Sequence, residues 1–249
     1  MIRYIKIALF IIFFLSFVCI SDSCIAAKKE ANTKHKIELL TKDKFILSGD
    51  LYISSQKTNK PLVVALHSFS MSAKHWNDLA QNLRLKGYNV LAMDLRGHGR
   101  SVYNENLKLK SRYKFTKKDW QKLPNDVIES INYIKSNYPA INCDNIIFIG
   151  ADIGASAGVL AGVNLKNQPS KFVIISPMID FKGLYIPVQI ANYTDTRFLI
   201  LLSKSDKILF KLHTKQDPII KTYPIGGPGN QLIKSNPAAI DDIVNFIIN

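Results

Sequence analysis

Past residue 35 the apolar positions fall into short unbroken runs, and stretches with the three-and-four spacing of a helix lie between them. Residues 37–40 and 45–53 read as two strands around a Lys42-Asp43 turn, neighbours running antiparallel. Residues 62–66 (LVVAL) form a continuous apolar run of the kind that a strand buried on both faces shows. A helix is predicted over 73–86, with Trp76, Leu79, Ala80 and Leu83 on one face and Gly87 as its stop. Residues 88–93 are the next strand. Periodicity is lost from 96 to 123 and returns with a helix over 125–138, where Val127, Ile128, Ile131 and Ile134 mark the buried side. Residues 146–149 form a short central strand, and 153–165 has helical spacing rich in small residues. Strands at 172–175, 198–202 and 219–223 follow, and a closing helix over 237–248 turns Ile240, Ile243, Val244 and Ile247 inward. Strands alternating with helices predict an α/β fold: a mostly parallel central sheet of about eight strands, helices on both faces and one domain over 36–249. The 47% apolar content is enough for a core of that size.

The first residues follow a different grammar. Arg3 and Lys6 precede an apolar run over 7–20, and Ile25-Ala26-Ala27 offers small residues before Lys28. This reads as a cleaved signal peptide over 1–27, with 28–35 as a short linker. The run is shorter than the ~20 residues that span a bilayer. Residues 7–20 would anchor the chain to a membrane if left uncleaved. Export to the periplasm or the exterior is therefore expected. Loss of the leader removes Cys19 and Cys24, leaves Cys143 alone and so excludes an intramolecular disulfide. The flanks of Cys19 and Cys24 are poor approaches to a lipid-modified cysteine.

A formal charge of +14 raises nucleic acid and anionic membranes as partners. The lysines are scattered and no nucleic-acid motif accompanies them, so specific nucleic-acid binding is not expected. The densest basic stretch, 108–122, interleaves Tyr113, Phe115 and Trp120 in a surface excursion, which keeps an anionic membrane as a candidate partner. No metal-ligand cluster or dinucleotide motif is present, and neither a metal nor a cofactor is expected.

Four separated stretches carry a family resemblance. They are Leu66-His67-Ser68-Phe69 after the third strand, Asp94-Leu95-Arg96-Gly97-His98-Gly99-Arg100-Ser101, the strand-to-helix turn Gly150-Ala151-Asp152-Ile153-Gly154, and the ending with Asp206 and Gly227-Pro228-Gly229. In order and spacing the set resembles the α/β-hydrolase superfamily, particularly its small lidless esterase-like and dienelactone-hydrolase-like members. The resemblance implies a nucleophile on the tight elbow, a position held here by Asp152, and an oxyanion hole made by the amides of Phe69 and Ile153. It implies that Asp206 stands at the triad acid and that Pro228 replaces the family's histidine, since proline can neither accept nor shuttle a proton. In the family the Arg96–Ser101 turn shapes the sheet edge, so His98 is read as a packed turn residue.

A literal GxSxG search selects Ser156, which lies one helical turn past the elbow and is the weaker nucleophile candidate. His213 is the candidate for a displaced base, ahead of His67 and His75. Dehalogenases and epoxide hydrolases of the superfamily do use an elbow aspartate. Ile153, however, stands where dehalogenases carry a halide-binding tryptophan, and 177–196 is too short for a cap domain. The expectation is an exported hydrolase-fold protein with a degraded triad, noncatalytic or weakly active. An ester or lactone hydrolase with a displaced base and an envelope-surface binding protein are the alternatives. Substrate and oligomeric state are not legible.

Overall fold

The computed structural model describes residues 33–204, 206, 215, 217–227 and 229–249. The leader over 1–27, most of the linker, His213 and Pro228 lie outside the described residues. Lys36–Asn249 forms one compact unit.

Eight strands run along the central sheet: β1 (Lys34–Leu40), β2 (Phe45–Tyr52), β3 (Pro61–Leu66), β4 (Val90–Asp94), β5 (Asn142–Ala151), β6 (Lys171–Ile175), β7 (Arg197–Ser203) and β8 (Ile219–Tyr223). Their spatial order is β1-β2-β4-β3-β5-β6-β7-β8, and a two-residue strand, Tyr103–Asn104, pairs with β2 as a ninth member. β2 runs antiparallel to β4, and from β4 to β8 every pairing is parallel. This is the doubly covered parallel sheet that the apolar runs predict. Parallel neighbours need crossovers, and the helices that follow β3 and β5 supply two of them.

Alternation along the strands divides the core in two. Leu62, Val64 and Leu66 of β3, Phe148 of β5 and Ile174 of β6 pack on one face against α2 (Leu123–Asn137) and α3 (Ile153–Gly162). Val63, Ala65, Ile147, Ile149 and Val173 pack on the other against α1 (Asn77–Leu85) and the last helix, α5 (Ala238–Ile248). Full burial of each large apolar side chain among these contributes roughly 1.5–3 kcal/mol, so packing on the two faces holds the sheet.

Several boundaries differ from the sequence reading. The helix expected over 73–86 is a 3₁₀ turn, Ala73–Trp76, followed by α1, because Ser72 and His75 cap the turn separately. The central strand is ten residues, Asn142–Ala151, rather than four, since its first half pairs only at Asn142 before a register shift. A short helix, α4 (Asn230–Ser235), precedes α5 and breaks from it at Asn236-Pro237. The span 177–196 holds a two-stranded hairpin, Asp180–Phe181 with Leu184–Tyr185, and one helical turn, Pro187–Ile190. No cap domain forms there.

The turn after β4 is a structural knot. Asp94 accepts from the Ala73 amide at 2.8 Å and from Arg100 Nε at 2.8 Å. Gly99 has φ +51°, and a Cβ there would sit 2.3 Å from an Asp94 carboxylate oxygen, so glycine is required. Ser101 Oγ donates to the Asp94 carbonyl at 2.7 Å and accepts from the Ser48 amide at 2.8 Å, tying the turn to β2. Arg96 is buried, donates to both carboxylate oxygens of Asp126 and reaches Asp43 at 2.9 Å.

Candidate active site

The turn from β5 into α3 is forced tight by its small residues. A Cβ on Gly150 would lie 2.5 Å from Ala155 Cα, and one on Gly154 would lie 2.3 Å from the Leu66 carbonyl oxygen. Glycine at both positions lets helix and strand close up, and the residue between them is left in a conformation that L-residues rarely hold. Asp152 has φ 55° and ψ −119°. Strain of this kind persists only where the surroundings over-determine it, and at the end of a sheet strand it aims a side chain into the space beyond.

The side chain so aimed does not point at open solvent. One Asp152 carboxylate oxygen accepts from the Phe69 amide at 3.0 Å. Of the two amides expected to form an oxyanion hole, that of Phe69 is thus taken by the chain's own carboxylate. Burial pushes the Asp152 carboxyl above its ordinary value, while the Phe69 and Ile153 N–H groups oppose that shift by favouring the charged form.

The loop before α4 closes on the elbow from the other side. Gly229 has φ +61°, and a Cβ there would meet Ser68 Cβ at 2.5 Å and Asp152 Cβ at 3.2 Å. Gly229 therefore adjoins the elbow, and Pro228 is outside the described residues. Asn230, the next residue, accepts from the Ser68 amide at 3.0 Å and so fixes the loop that carries Phe69. The sequence reading missed Asn230, and a contact across 162 residues leaves no local signal.

Asp206 is held by two donors, Ser176 Oγ at 2.8 Å and the Ser203 amide at 2.7 Å. Ser176 itself has φ +44°. These bonds account for the Asp206 carboxylate as a brace between the ends of β6 and β7.

Four of the five histidines lie within the described residues. His67 is fully buried, its Nε2 accepts from the Leu95 amide at 3.0 Å and its Nδ1 lies 2.8 Å from the Ser68 carbonyl. Because an amide can only donate, Nε2 carries no proton and Nδ1–H donates to the carbonyl. Burial, together with the neighbouring His98, lowers its pKa to about 3. His98, also fully buried, pairs its Nδ1 with the Arg96 carbonyl at 2.9 Å, and burial lowers it to about 4. His75 is exposed and caps the 3₁₀ turn through Ser72. His35 lies on β1, at the far end of the strand order from the elbow strand. Ser156 sits inside α3, fully buried, with its Oγ donating to the Met178 carbonyl at 3.1 Å. Its hydroxyl is thereby turned away from the elbow's task and into helix packing.

An aromatic cover lies over Phe69. Trp120 and Phe181 pack on its ring with centroids 5.7 Å away in each case, and the Arg112 guanidinium stacks on it at 5.2 Å. Residues from the excursion near 112–120 and from the hairpin at 180–185 meet there.

Sheet order, strained elbow and paired amides define an α/β hydrolase. The chain belongs to the hydrolase family described as Serine aminopeptidase, S33, whose model matches residues 57–223. It is similar to a Monoglyceride lipase homolog of Monkeypox virus, 27% identical over 121 residues that make up 49% of this chain and 40% of the relative. It is also similar to the Monoglyceride lipase of Rattus norvegicus, 24% identical over 51% of this chain and 38% of that one. The chain thus spans about two fifths of the length of the curated relatives it matches. Among solved structures it resembles the α/β hydrolase GrgF of Penicillium, with TM-score 0.67, 14% identity, and coverage of 86% of this chain and 97% of that one. An esterase of Pyrococcus furiosus gives TM-score 0.64 at 19% identity over 86% and 91%. Likenesses at this identity speak for the fold.

Proposed function

We propose that this chain is a degenerate member of its family, whose cleft does not turn over acyl esters. The observation that carries the reading is the Asp152 carboxylate on the Phe69 amide. Acyl transfer needs the oxyanion-hole donors free for an oxygen that becomes negative in the transition state, and removing even one donor of such a pair costs roughly 10²–10³ in rate. Here the Phe69 amide already meets an acceptor. His67 and His98 support the same reading, since each is buried and held by backbone groups, with a proton affinity too low for a base at neutral pH. The retained elbow favours the alternative, a hydrolase that uses Asp152 or a displaced base such as His213. Purified protein incubated with short acyl esters and with a monoacylglycerol is expected to release no acid above the protein-free rate. Turnover that Asp152→Ala or His213→Ala abolishes would overturn the proposal.

A second observation supports a surface role. Leu107, Leu109 and Tyr113 are 72%, 59% and 78% exposed, and Lys108, Lys114, Lys117 and Lys118 lie between and beside them. Apolar tips within a basic field suit insertion among the headgroups of an anionic bilayer. We propose such a surface as the partner. Vesicles rich in phosphatidylglycerol should sediment the protein while phosphatidylcholine vesicles do not, and Leu107→Asp should weaken the association. Equal binding to both lipids, or binding indifferent to salt, would contradict it.

A further inference from the structure

A second recess lies outside the elbow, between the 3₁₀ turn with α1 on one side and α4 with the start of α5 on the other. It encloses ≈ 400 Å³ and its apolar walls include Leu79 and Ile233. Two hydrogen-bond donors on its lining are unusual. Trp76 Nε1 and Asn230 Nδ2 are buried, in side chains 1% and 5% exposed, and neither has a hydrogen-bond partner. The orientation of the Asn230 amide is not arbitrary. The Ser68 N–H demands an acceptor, so Oδ1 must face Ser68 and the NH₂ group of this recess-lining residue is left without a partner. A buried donor without an acceptor is costly to keep, and native proteins seldom keep two beside one groove. Lys74 and Lys234 also line it, both exposed, and Asp78 is the one carboxylate among its lining residues.

Donors at depth, cations outside and apolar walls between them describe a ligand with an acceptor head, a negative charge and a hydrocarbon tail. We propose that this groove is a binding site for a carboxylate-bearing amphiphile of fatty-acid type. The carboxylate oxygens accept from Trp76 Nε1 and Asn230 Nδ2 after a small opening of the lining, and the tail lies along Leu79 and Ile233. Because Asn230 also fixes the Ser68-Phe69 loop, an occupant there touches the residue that holds the Phe69 amide on Asp152. The site stands whether or not the elbow is catalytic.

Calorimetric titration of the whole protein with octanoate and with octanol tests it. Octanoate is expected to bind, and octanol to bind at least about tenfold more weakly, since it brings neither the charge nor two acceptor oxygens. Trp76→Phe keeps the ring and removes the N–H, and should weaken octanoate binding roughly fivefold to tenfold. Lys234→Glu, on the exposed rim, should weaken it several-fold and cannot be dismissed as a folding defect. The proposal is overturned by no octanoate binding up to about 10 mM, well beyond a specific affinity. It is overturned equally by binding that both variants leave unchanged, or by octanol binding as well as octanoate.

Discussion

Replacing Arg96 by methionine lowers the unfolding free energy at neutral pH by about 3–5 kcal/mol, the cost of leaving the buried Asp126 carboxyl, which burial pushes up to about 6 even beside Arg96, without its partner. Arg96 and Asp126 are 3% and 5% exposed in their side chains, and the guanidinium is forked across both Asp126 oxygens, the Nε bond being 2.7 Å. Its other edge reaches Asp43, whose carboxyl is held well below the ordinary range by Arg96 and Lys122 against the opposing effect of burial. Methionine fills much of the same volume, so the loss reports charge rather than a cavity. A companion change of Asp126→Leu should recover most of it, because the double variant leaves no buried charge alone: Asp43, which also loses Arg96, is part-exposed and keeps Lys122. Urea unfolding of the wild type, both single variants and the double variant completes the cycle. A loss below about 1 kcal/mol for Arg96→Met would mean that water reaches Asp126 and that the turn after β4 is not the knot described.

Acid should weaken the fold well above the pH at which ordinary carboxylates titrate. His67 and His98 have pKa values lowered to about 3 and about 4 by burial. In the unfolded chain both regain a value near 6.5, so between those limits the unfolded state binds more protons than the folded one. The stability they share is complete above about pH 6.5 and is lost as pH falls toward 4 and then 3. Each removes at most about 1.4 kcal/mol per pH unit in that window, a loss of roughly 3–4 kcal/mol for the two from pH 6 to pH 4.5, offset in part by Asp126, whose carboxyl burial pushes up to about 6 and which therefore favours the folded state as pH falls below 6. Denaturant midpoints at pH 7.5, 6 and 4.5 check this. A midpoint flat down to pH 4.5, followed by a collapse, would assign acid lability to the carboxylates instead.

The parts of this protein that sequence made legible are those dictated by near neighbours. The continuous apolar runs located β3, β5, β6 and β7, because strands buried on both faces leave no polar alternation to read. The small residues around Asp152 marked the elbow, since only glycine tolerates the approach of Gly154 to the Leu66 carbonyl. Short amphipathic features were harder. The helix α4 is six residues with a break at Asn236-Pro237, too little chain to show a period. The hairpin within 177–196 is held by packing of Phe181 against Trp120 and Phe69, contacts between residues far apart in sequence. The most consequential feature was also nonlocal. The family resemblance implied that Asp152, Phe69 and Ile153 share one cleft, but that the carboxylate turns onto the Phe69 amide is a matter of side-chain geometry at 3.0 Å.

Asp152→Ser tests the central claim most directly. The variant takes the carboxylate off the Phe69 amide and leaves a hydroxyl on the same strained turn. If no imidazole serves this elbow, the new hydroxyl stays un-ionised, and incubation with a fluorophosphonate ester should label the protein no faster than it labels heat-unfolded protein. Rapid, stoichiometric labelling at position 152 would show that a base reaches the turn, and the account of an inert cleft would be wrong.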